Sequence, residues 1–362
     1  MIYILSIITI AALVFIGVDV AAQLSEWQAR IGIGKWSDRE AWQAALESRA
    51  RKWLKRSPTV RISDSRRWVL LDILRGKYRS GTIQAWQDAG LLLGLGSGES
   101  ERYASLKTDP ATGDWQNKPE HVDSAPLAYA LKKNGALPAA AEHAVVELLY
   151  TLKGNQKTIP YRKELPNIRF VDTIGMTAPF LTLCGLDELA DAQIGEYDRA
   201  LLHDSCIPPH AYDICRDVPA GIYDWARGTG WYILGLIESN TDGRFNDCIV
   251  ALSNELLRYQ KPEGGFGAMY FNPVSPFEAS GSALIGLLMI RGYGIIRNPK
   301  FLEAAFGIEK RLMASTRRSG ALDNCQGDTM GVGYYSHTFS VMPFAQGIAL
   351  RMSKELNEYA DR

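Results

Sequence analysis

Hydrophobic residues recur every three to four positions along most of the chain, and prolines and glycines interrupt this pattern at intervals. Such a period is typical of α-helices that bury one face. Strand-like alternation is scarce, so the pattern predicts an all-α fold of about a dozen antiparallel helices. After the N-terminal segment, the predicted helices lie at about 38–56, 64–76, 81–94, 98–107, 124–134, 138–153, 173–184, 186–203, 228–239, 243–260, 278–292, 299–315 and 344–358.

Two local signals refine this pattern. Ser37 and Glu40 have the spacing of a capping box, which predicts that Ser37 caps the first helix of the body. The segment Gln260–Phe271 contains two adjacent glycines, Gly264 and Gly265, and is interpreted as a short hairpin.

The first 22 residues form a segment of different character. Ile2–Val18 is almost wholly apolar, and its 17 residues are at the lower limit for a membrane-spanning helix. No basic residue precedes the segment, whereas Val20 and Ala22 fit a small-x-small cleavage pattern. We predict that residues 1–22 are a transmembrane anchor, with a cleaved signal segment and export to the periplasm as the alternative. Residues 23–362 show no linker and are interpreted as one domain.

The basic residues near this segment all follow it along the chain. Arg30, Lys35 and Arg39 are the first of them, and the positive-inside rule then places the body on the cytoplasmic side of a membrane. The stretch Arg49–Arg67 is also strongly basic, and is either a solvated surface or a contact for anionic lipid headgroups.

Composition narrows the possible partners. Apolar residues make up 46% of the 362 residues, enough for a large core, and 40 Lys and Arg balance 40 Asp and Glu. This balance argues against a nucleic-acid partner. The five cysteines are widely scattered, and Cys206 and Cys215 are the pair close enough to suggest a local disulfide. These two, with His203 and His210, do not have the spacing of a usual zinc site.

Five short segments combine titratable residues with aromatic residues or glycines at predicted helix starts. They are His121–Ser124, Arg169–Leu181, Pro209–Asp213, Trp225–Trp231 and Glu278–Ser282.

Together these segments resemble motifs of glycoside hydrolase families 88 and 105. Val171-Asp172-Thr173, with Met176 and Pro179-Phe180-Leu181, is similar to the segment that carries their catalytic aspartate. The other similar segments are His210-Ala211-Tyr212-Asp213, Trp225-Ala226-Arg227-Gly228-Thr229-Gly230-Trp231 and Glu278-Ala279-Ser280-Gly281-Ser282. They occur in the order of the family and cover about residues 120–350.

The resemblance implies a six-fold double-helical (α/α)6 toroid preceded by the N-terminal apolar helix. It also implies a hydrolase that removes a terminal 4,5-unsaturated uronic acid from an oligosaccharide. In that reaction an acid protonates the ring double bond at C4, water adds at C5, and the resulting hemiketal opens. No metal or organic cofactor is implied.

Asp172 and Asp123 match the two catalytic carboxylates of the family. Protonating a vinyl ether requires a carboxyl group that keeps its proton near neutral pH, which burial or a nearby carboxylate can provide. We expect Asp172 to deliver the proton, and Asp123 either to hold Asp172 protonated or to bind substrate hydroxyls. The alternative for both residues is a structural N-cap at the start of a helix.

The resemblance assigns substrate binding to six other residues. Arg227 could bind a uronate carboxylate through paired hydrogen bonds, or could pack on aromatic rings for stability alone. Glu278 either caps its helix or lines the pocket. The complete set is His210, Arg227, Trp225, Trp231, Met176 and Glu278.

Two departures from the family pattern concern substrate identity. Pro126-Leu127-Ala128 lies where a Gly-Arg pair is common, and Thr229 replaces a common Asn. Two alternatives therefore stay open: another carbohydrate-active enzyme on the same toroid, namely a conventional glycosidase or an epimerase, and a catalytically inactive glycan-binding or assembly protein.

Overall fold

The computed structural model describes residues 1–58, 60–61, 68–76, 78–79, 84–202, 205–329 and 331–360. Helices dominate this part of the chain, as the hydrophobic period predicts. They are α1 (Ile2–Arg30), α2 (Arg39–Lys55), α3 (Val69–Leu74), α4 (Ala85–Leu95), α5 (Ser97–Lys107), α6 (Ser124–Lys133), α7 (Ala139–Lys153), α8 (Val171–Leu183), α9 (Asp187–Gly195), α10 (Ala226–Ser239), α11 (Asn246–Leu257), α12 (Ala279–Ile296), α13 (Pro299–Ala314) and α14 (Pro343–Leu356).

The strands of the described residues are short and antiparallel. One ribbon pairs β1 (Val60–Arg61) with β2 (Tyr78–Arg79), and another pairs β6 (Cys325–Gln326) with β7 (Phe339–Ser340). A three-stranded sheet has the order β3-β4-β5, formed by the segments Ile168–Phe170, Ala211–Asp213 and Val218–Ala220.

Six helices form a closed inner ring. Each of α4, α6, α8, α10, α12 and α14 packs against the next, and α14 packs back against α4. The helices α5, α7, α9, α11, α13 and α2 lie outside this ring, against the inner helices. This is the predicted (α/α)6 toroid. Because an outer helix follows each inner helix along the chain from α4 to α13, the inner helices run in one direction and their amino-terminal ends meet at one mouth.

Small residues let the inner helices approach closely. A Cβ added to Gly347 of α14 would lie 1.8 Å from the carbonyl oxygen of Gly90 in α4, and one added to Gly94 would lie 2.3 Å from the carbonyl oxygen of Gly347. A backbone contact this close requires glycine. The α4–α14 junction that closes the ring therefore depends on three glycines, Gly90, Gly94 and Gly347.

Most predicted helices agree with the structure within a few residues, but two details were wrong. Asp38, not Ser37, caps α2, because its carboxylate accepts a hydrogen bond of 2.7 Å from the Ala41 N–H. Helix α9 ends at Gly195, well before the predicted residue 203. The described residues cover only part of three predicted features, namely the helices at 64–76 and 81–94 and the basic stretch Arg49–Arg67. His203, which was considered as a zinc ligand, lies wholly outside them.

The predicted hairpin at Gln260–Phe271 and the predicted disulfide were also wrong. Residues 266–268 bond outward, since Phe266 O accepts from Glu278 N and Ala268 O accepts from Ala226 N. All five cysteines are free thiols. Cys215 is exposed beside the β4–β5 turn, whereas the Cys206 thiol hydrogen-bonds with Cys248.

Two described helices are long and apolar enough to cross a membrane. Helix α12 is largely buried at the centre of the toroid, whereas no residue of α1 is buried. Helix α1 continues without a break past residue 22 to Arg30. The apolar N-terminal helix is therefore present, and is compatible with a membrane anchor or a signal segment.

We predict that Gly347→Ala destabilises the fold by about 2–3 kcal/mol, because the added methyl group forces α14 away from α4. Urea unfolding measures this difference. Gly98→Ala in α5 is the matched control, since no atom lies within 4 Å of a Cβ at that position, and it should change stability by less than about 1 kcal/mol. Equal unfolding midpoints for the two variants would contradict the role given to the glycine junction.

Candidate functional site

The β3–β4 pairing brings two of the predicted site residues together. Phe170 at the end of β3 pairs with Ala211 of β4, and the Val171 N–H donates to the carbonyl oxygen of His210 at 2.9 Å. Helix α8 begins directly after β3, so Asp172 lies in its first turn at the mouth of the ring. As a result, His210 Nε2 lies 3.9 Å from Asp172 Oδ2.

Asp172 is held in an enclosed position. Every residue from Val171 to Thr182 except Asp172 is buried, and the Asp172 side chain keeps 19% exposure. Burial raises the pKa of Asp172 to about 6, although the positive charge of Arg227 opposes this shift. Phe170, not Asp172, occupies the N-cap position of α8. The structural alternative of an aspartate cap is therefore wrong for Asp172.

His210 is a buried, uncharged partner of this carboxyl group. Burial, with a smaller contribution from the positive charge of Arg227, lowers its pKa to about 4. His210 Nδ1 lies 3.0 Å from the hydroxyl oxygen of Tyr335. A neutral imidazole has one donor and one acceptor nitrogen. The contact with Tyr335 therefore helps to determine whether the Nε2 that faces Asp172 carries the proton.

Trp225 and Arg227 form the adjacent wall. The Trp225 ring centroid is 4.6 Å from that of His210, and the Arg227 guanidinium lies 5.3 Å from the Trp225 centroid. Arg227 donates to the carbonyl oxygens of Gln326 and Gly327. It is 3% exposed, and its charge acts on both Asp172 and His210.

Glu278 supports this wall from behind. Its fully buried carboxylate accepts backbone hydrogen bonds from Ser280 at 3.1 Å and Gly281 at 2.6 Å, and therefore caps α12. It also accepts from the Gln326 N–H at 3.1 Å. The Gln326 amide oxygen in turn accepts from Trp225 Nε1 at 3.0 Å. Glu278 thus connects the α12 cap to the residue that holds Trp225 and Arg227.

Asp123 lies at the start of α6 and shares a neighbour with Asp172. Burial raises its pKa, and the nearby His121 opposes this shift. It occupies the N-cap position, but its side chain makes no capping hydrogen bond. Burial, together with the negative charges of Asp172 and Asp123, raises the pKa of Tyr161 to about 12. Tyr161 therefore lies near both carboxyl groups.

The other predicted residues pack inside the ring. Trp231 is 1% exposed and stacks on Phe344 with a centroid distance of 4.6 Å, while its edge contacts Trp86. Met176 lies one turn after Asp172 and is also buried. The glycines beside Trp231 provide room for neighbours, since a Cβ on Gly228 would meet the Trp225 ring at 2.3 Å.

Three residues of the site were missed by the sequence motifs. Tyr161 precedes β3, whereas Gln326 and Tyr335 belong to the segment between α13 and α14. Tyr335 contacts His210 across 125 residues of sequence. The Gly-Val-Gly-Tyr-Tyr sequence at 331–335, an aromatic and glycine-rich loop between two helices, is the signal that could have indicated it.

The last residue of α1 holds the segment that carries Gln326. Arg30 donates to the Asp323 carboxylate at 2.8 and 3.0 Å and to the Phe339 carbonyl oxygen at 2.7 Å. Burial opposes ionisation of Asp323, but hydrogen bonds from Arg30 and Arg317 lower its pKa. Asp323 lies two residues before β6 and Phe339 begins β7, so Arg30 ties the N-terminal helix to the wall of the site.

Comparison with known proteins identifies the class of this fold. A family model described as Glycosyl Hydrolase Family 88 matches residues 220–360, which run from the end of β5 past α14. No curated protein matches the chain by sequence.

Solved structures resemble the chain over almost its whole length. A possible member of glycoside hydrolase family 105 from Klebsiella pneumoniae has a TM-score of 0.69 at 15% identity, covering 90% of this chain and 95% of that chain. A possible family 105 member from Salmonella enterica has a TM-score of 0.67 at 16% identity, with 90% and 96% covered. The unsaturated glucuronyl hydrolase from Bacillus sp. GL1, described as responsible for the degradation of glycosaminoglycan, has a TM-score of 0.62 at 14% identity, with 92% and 97% covered.

These findings indicate a glycoside hydrolase built on an (α/α)6 toroid. The resemblance to families 88 and 105 is confirmed, with the family 88 sequence pattern extending over residues 220–360. Arg227, Trp225, Trp231 and Glu278 lie within that match.

We predict that Arg227→Gln raises the pKa of both Asp172 and His210, because the positive charge of Arg227 lowers each of them. NMR titration of the His210 imidazole and of the Asp172 carboxyl carbon measures both shifts. Arg216→Gln removes an exposed arginine that pairs with Asp213 on the adjacent β4–β5 hairpin, and should leave both titrations in place. An unchanged His210 titration in Arg227→Gln would show that burial alone sets its pKa.

We also predict that Arg30→Gln loosens the β6–β7 ribbon. The N–H of Gly327, which donates to Thr338 O at 2.9 Å, should exchange with deuterium at least about tenfold faster, because hydrogen bonds to charged groups contribute roughly 1.5–3 kcal/mol. Arg49→Gln is the control, since Arg49 donates to Ser319 O and holds a neighbouring loop instead. The same exchange rate at Gly327 in both variants would refute the tie.

Proposed function

We propose that this protein removes a terminal 4,5-unsaturated uronic acid from an oligosaccharide. The observation that carries the proposal is a carboxyl group with a pKa of about 6, Asp172, beside a neutral imidazole, His210, at the mouth of the toroid. An acid with this pKa is still partly protonated near neutral pH and can donate its proton to carbon.

The reaction proceeds by hydration of the double bond. The Asp172 carboxyl group gives its proton to C4 of the unsaturated ring, and positive charge develops at C5 and the ring oxygen. A water molecule adds to C5 and returns a proton to Asp172. The product is a hemiketal, which opens and releases the neighbouring sugar with its hydroxyl group restored. Two carboxyl groups acting at the anomeric carbon are not required, in contrast to ordinary glycoside hydrolysis.

The surrounding side chains fit the binding of such a substrate. Trp225 is 2% exposed and packs on His210, so it shapes the site from behind. Arg227 donates to the carbonyl oxygens of Gln326 and Gly327, and supplies positive charge for the uronate carboxylate through its electrostatic field. Asp123 is better suited to bind substrate hydroxyls than to control Asp172, because burial is the cause that raises the Asp172 pKa. Trp231, Met176 and Glu278 support these residues from within the ring and from the α12 cap.

We further propose that residues 1–22 remain attached as a membrane anchor and that residues 23–362 form the catalytic domain. The continuous α1 helix and the hydrogen bonds that Asp19 accepts from the backbone N–H groups of Trp68 and Val69 support retention. The basic residues Arg30, Lys35 and Arg39 favour a body on the cytoplasmic side. The catalytic domain would then bind its oligosaccharide substrate at the cytoplasmic surface of the membrane.

We expect wild-type protein to cleave an unsaturated disaccharide, and Asp172→Asn to be at least about 10³-fold slower, because the amide cannot donate an acidic proton. Loss of absorbance of the conjugated double bond follows the reaction, with disaccharides from pectin, glycosaminoglycan and bacterial polysaccharides as substrates. The exposed Asp247→Asn variant is the control and should be fully active.

The same assay tests the pH dependence. The rate should fall as the pH rises through about 6, roughly tenfold per unit, because Asp172 then loses the proton it must donate. Cleavage without loss of the double bond would identify a conventional glycosidase instead. No cleavage of any member of the panel would favour a binding protein.

A further inference from the structure

Helix α1 carries one acidic residue in its apolar part, and that residue has a defined partner. Asp19 accepts hydrogen bonds from the backbone N–H groups of Trp68 and Val69, at 2.8 and 2.5 Å. These are the first N–H groups of α3, so a carboxylate of the N-terminal helix caps a second, short helix. The Phe15 and Trp68 rings also meet edge to face at 5.2 Å.

The position of Asp19 marks a depth along α1. The apolar stretch Ile2–Val18 has 17 residues and spans about 26 Å as a helix, close to the roughly 30 Å of a bilayer hydrocarbon core. A carboxylate is costly inside that core. When Ile2–Val18 crosses the membrane, Asp19 and the start of α3 lie at the lipid–water boundary.

Helix α3 presents an apolar surface at this level. Trp68, Ile73 and Leu74 are 57%, 48% and 74% exposed, whereas Val69 and Asp72 are buried. Tryptophan is enriched at the membrane interface. The exposed Arg75 follows directly at the end of the helix, where it can meet lipid phosphates.

We propose that Trp68, Ile73 and Leu74 of α3 form a second membrane contact, which Asp19 fixes to α1 and which holds the toroid against the lipid surface. The occupant of this surface is the lipid bilayer, because it continues the apolar surface of α1. The proposal rests on retention of α1, proposed above, and is independent of the reaction at Asp172.

Trp68 provides the test. Full-length protein, with residues 1–22 verified by intact mass, is placed in vesicles of phosphatidylcholine and phosphatidylglycerol that carry bromine on the upper part of the acyl chains. Bromine quenches nearby tryptophan. Trp68→Phe should remove at least half of the quenchable emission.

Trp27→Phe is the matched control. Trp27 is 64% exposed on α1 but lies eight residues, about 12 Å, beyond Asp19, so its loss should leave the quenchable emission unchanged. Equal effects of the two substitutions would overturn the proposal. Trp68 emission that escapes bromine but becomes shielded as the protein is concentrated would assign the surface to a second copy of the chain, and would also overturn it.

A second pair of variants tests the role of Asp19. Asp19→Leu removes both acceptor oxygens and should reduce quenching of Trp68 while its N–H exchanges faster. Asp19→Asn keeps one acceptor oxygen and should preserve the quenching. Unchanged quenching in Asp19→Leu would overturn the role of Asp19, and loss of residues 1–22 from the mature protein would overturn the docking as a whole.

Discussion

Closure of the inner ring is the constraint on which the rest of the structure depends. The α4–α14 junction brings backbone against backbone at Gly90 and Gly347, which completes a circle of helices that all point the same way. Every inner helix therefore delivers its amino-terminal end, with unpaired N–H groups and partial positive charge, to one mouth. Three acidic residues that are far apart in sequence, Asp123, Asp172 and Glu278, lie at three of these ends.

Two of these carboxyl groups, Glu278 and Asp172, have different surroundings although both lie near the start of an inner helix. Glu278 is surrounded by N–H donors, so its oxygens are occupied and it serves as a structural pin for Gln326. Asp172 is enclosed by apolar side chains and a neutral histidine, and burial raises its pKa to about 6. The two carboxyl groups therefore differ in the number of hydrogen-bond donors around them, not in their position at a helix end. Glu278 is suited to a structural role, and Asp172 to holding a proton.

The sequence predicted those parts of the molecule that have a local signature. The hydrophobic period located most helices, and the motifs around Asp172, His210 and Arg227 indicated side chains that the fold does bring together. Tyr161, Gln326 and Tyr335 could not be predicted in this way, because long-range contacts place them. The prediction of the α2 cap failed for a related reason. Ser37 and Asp38 are both good caps, and the backbone conformation before the helix decides which of them occupies the N-cap position.

The tie between Arg30 and Asp323 has a practical consequence for versions of this protein that are shortened at the N-terminus. A version that begins at Gln23 loses the apolar stretch but keeps Arg30, and with it the hydrogen bonds that fix the β6–β7 ribbon. A version that begins at Ile33 removes both. The second would keep every inner helix, but the Asp323 carboxylate would lose one of its two arginine partners. The β6–β7 ribbon, which carries the Gln326 that bonds Trp225, would then be held less firmly.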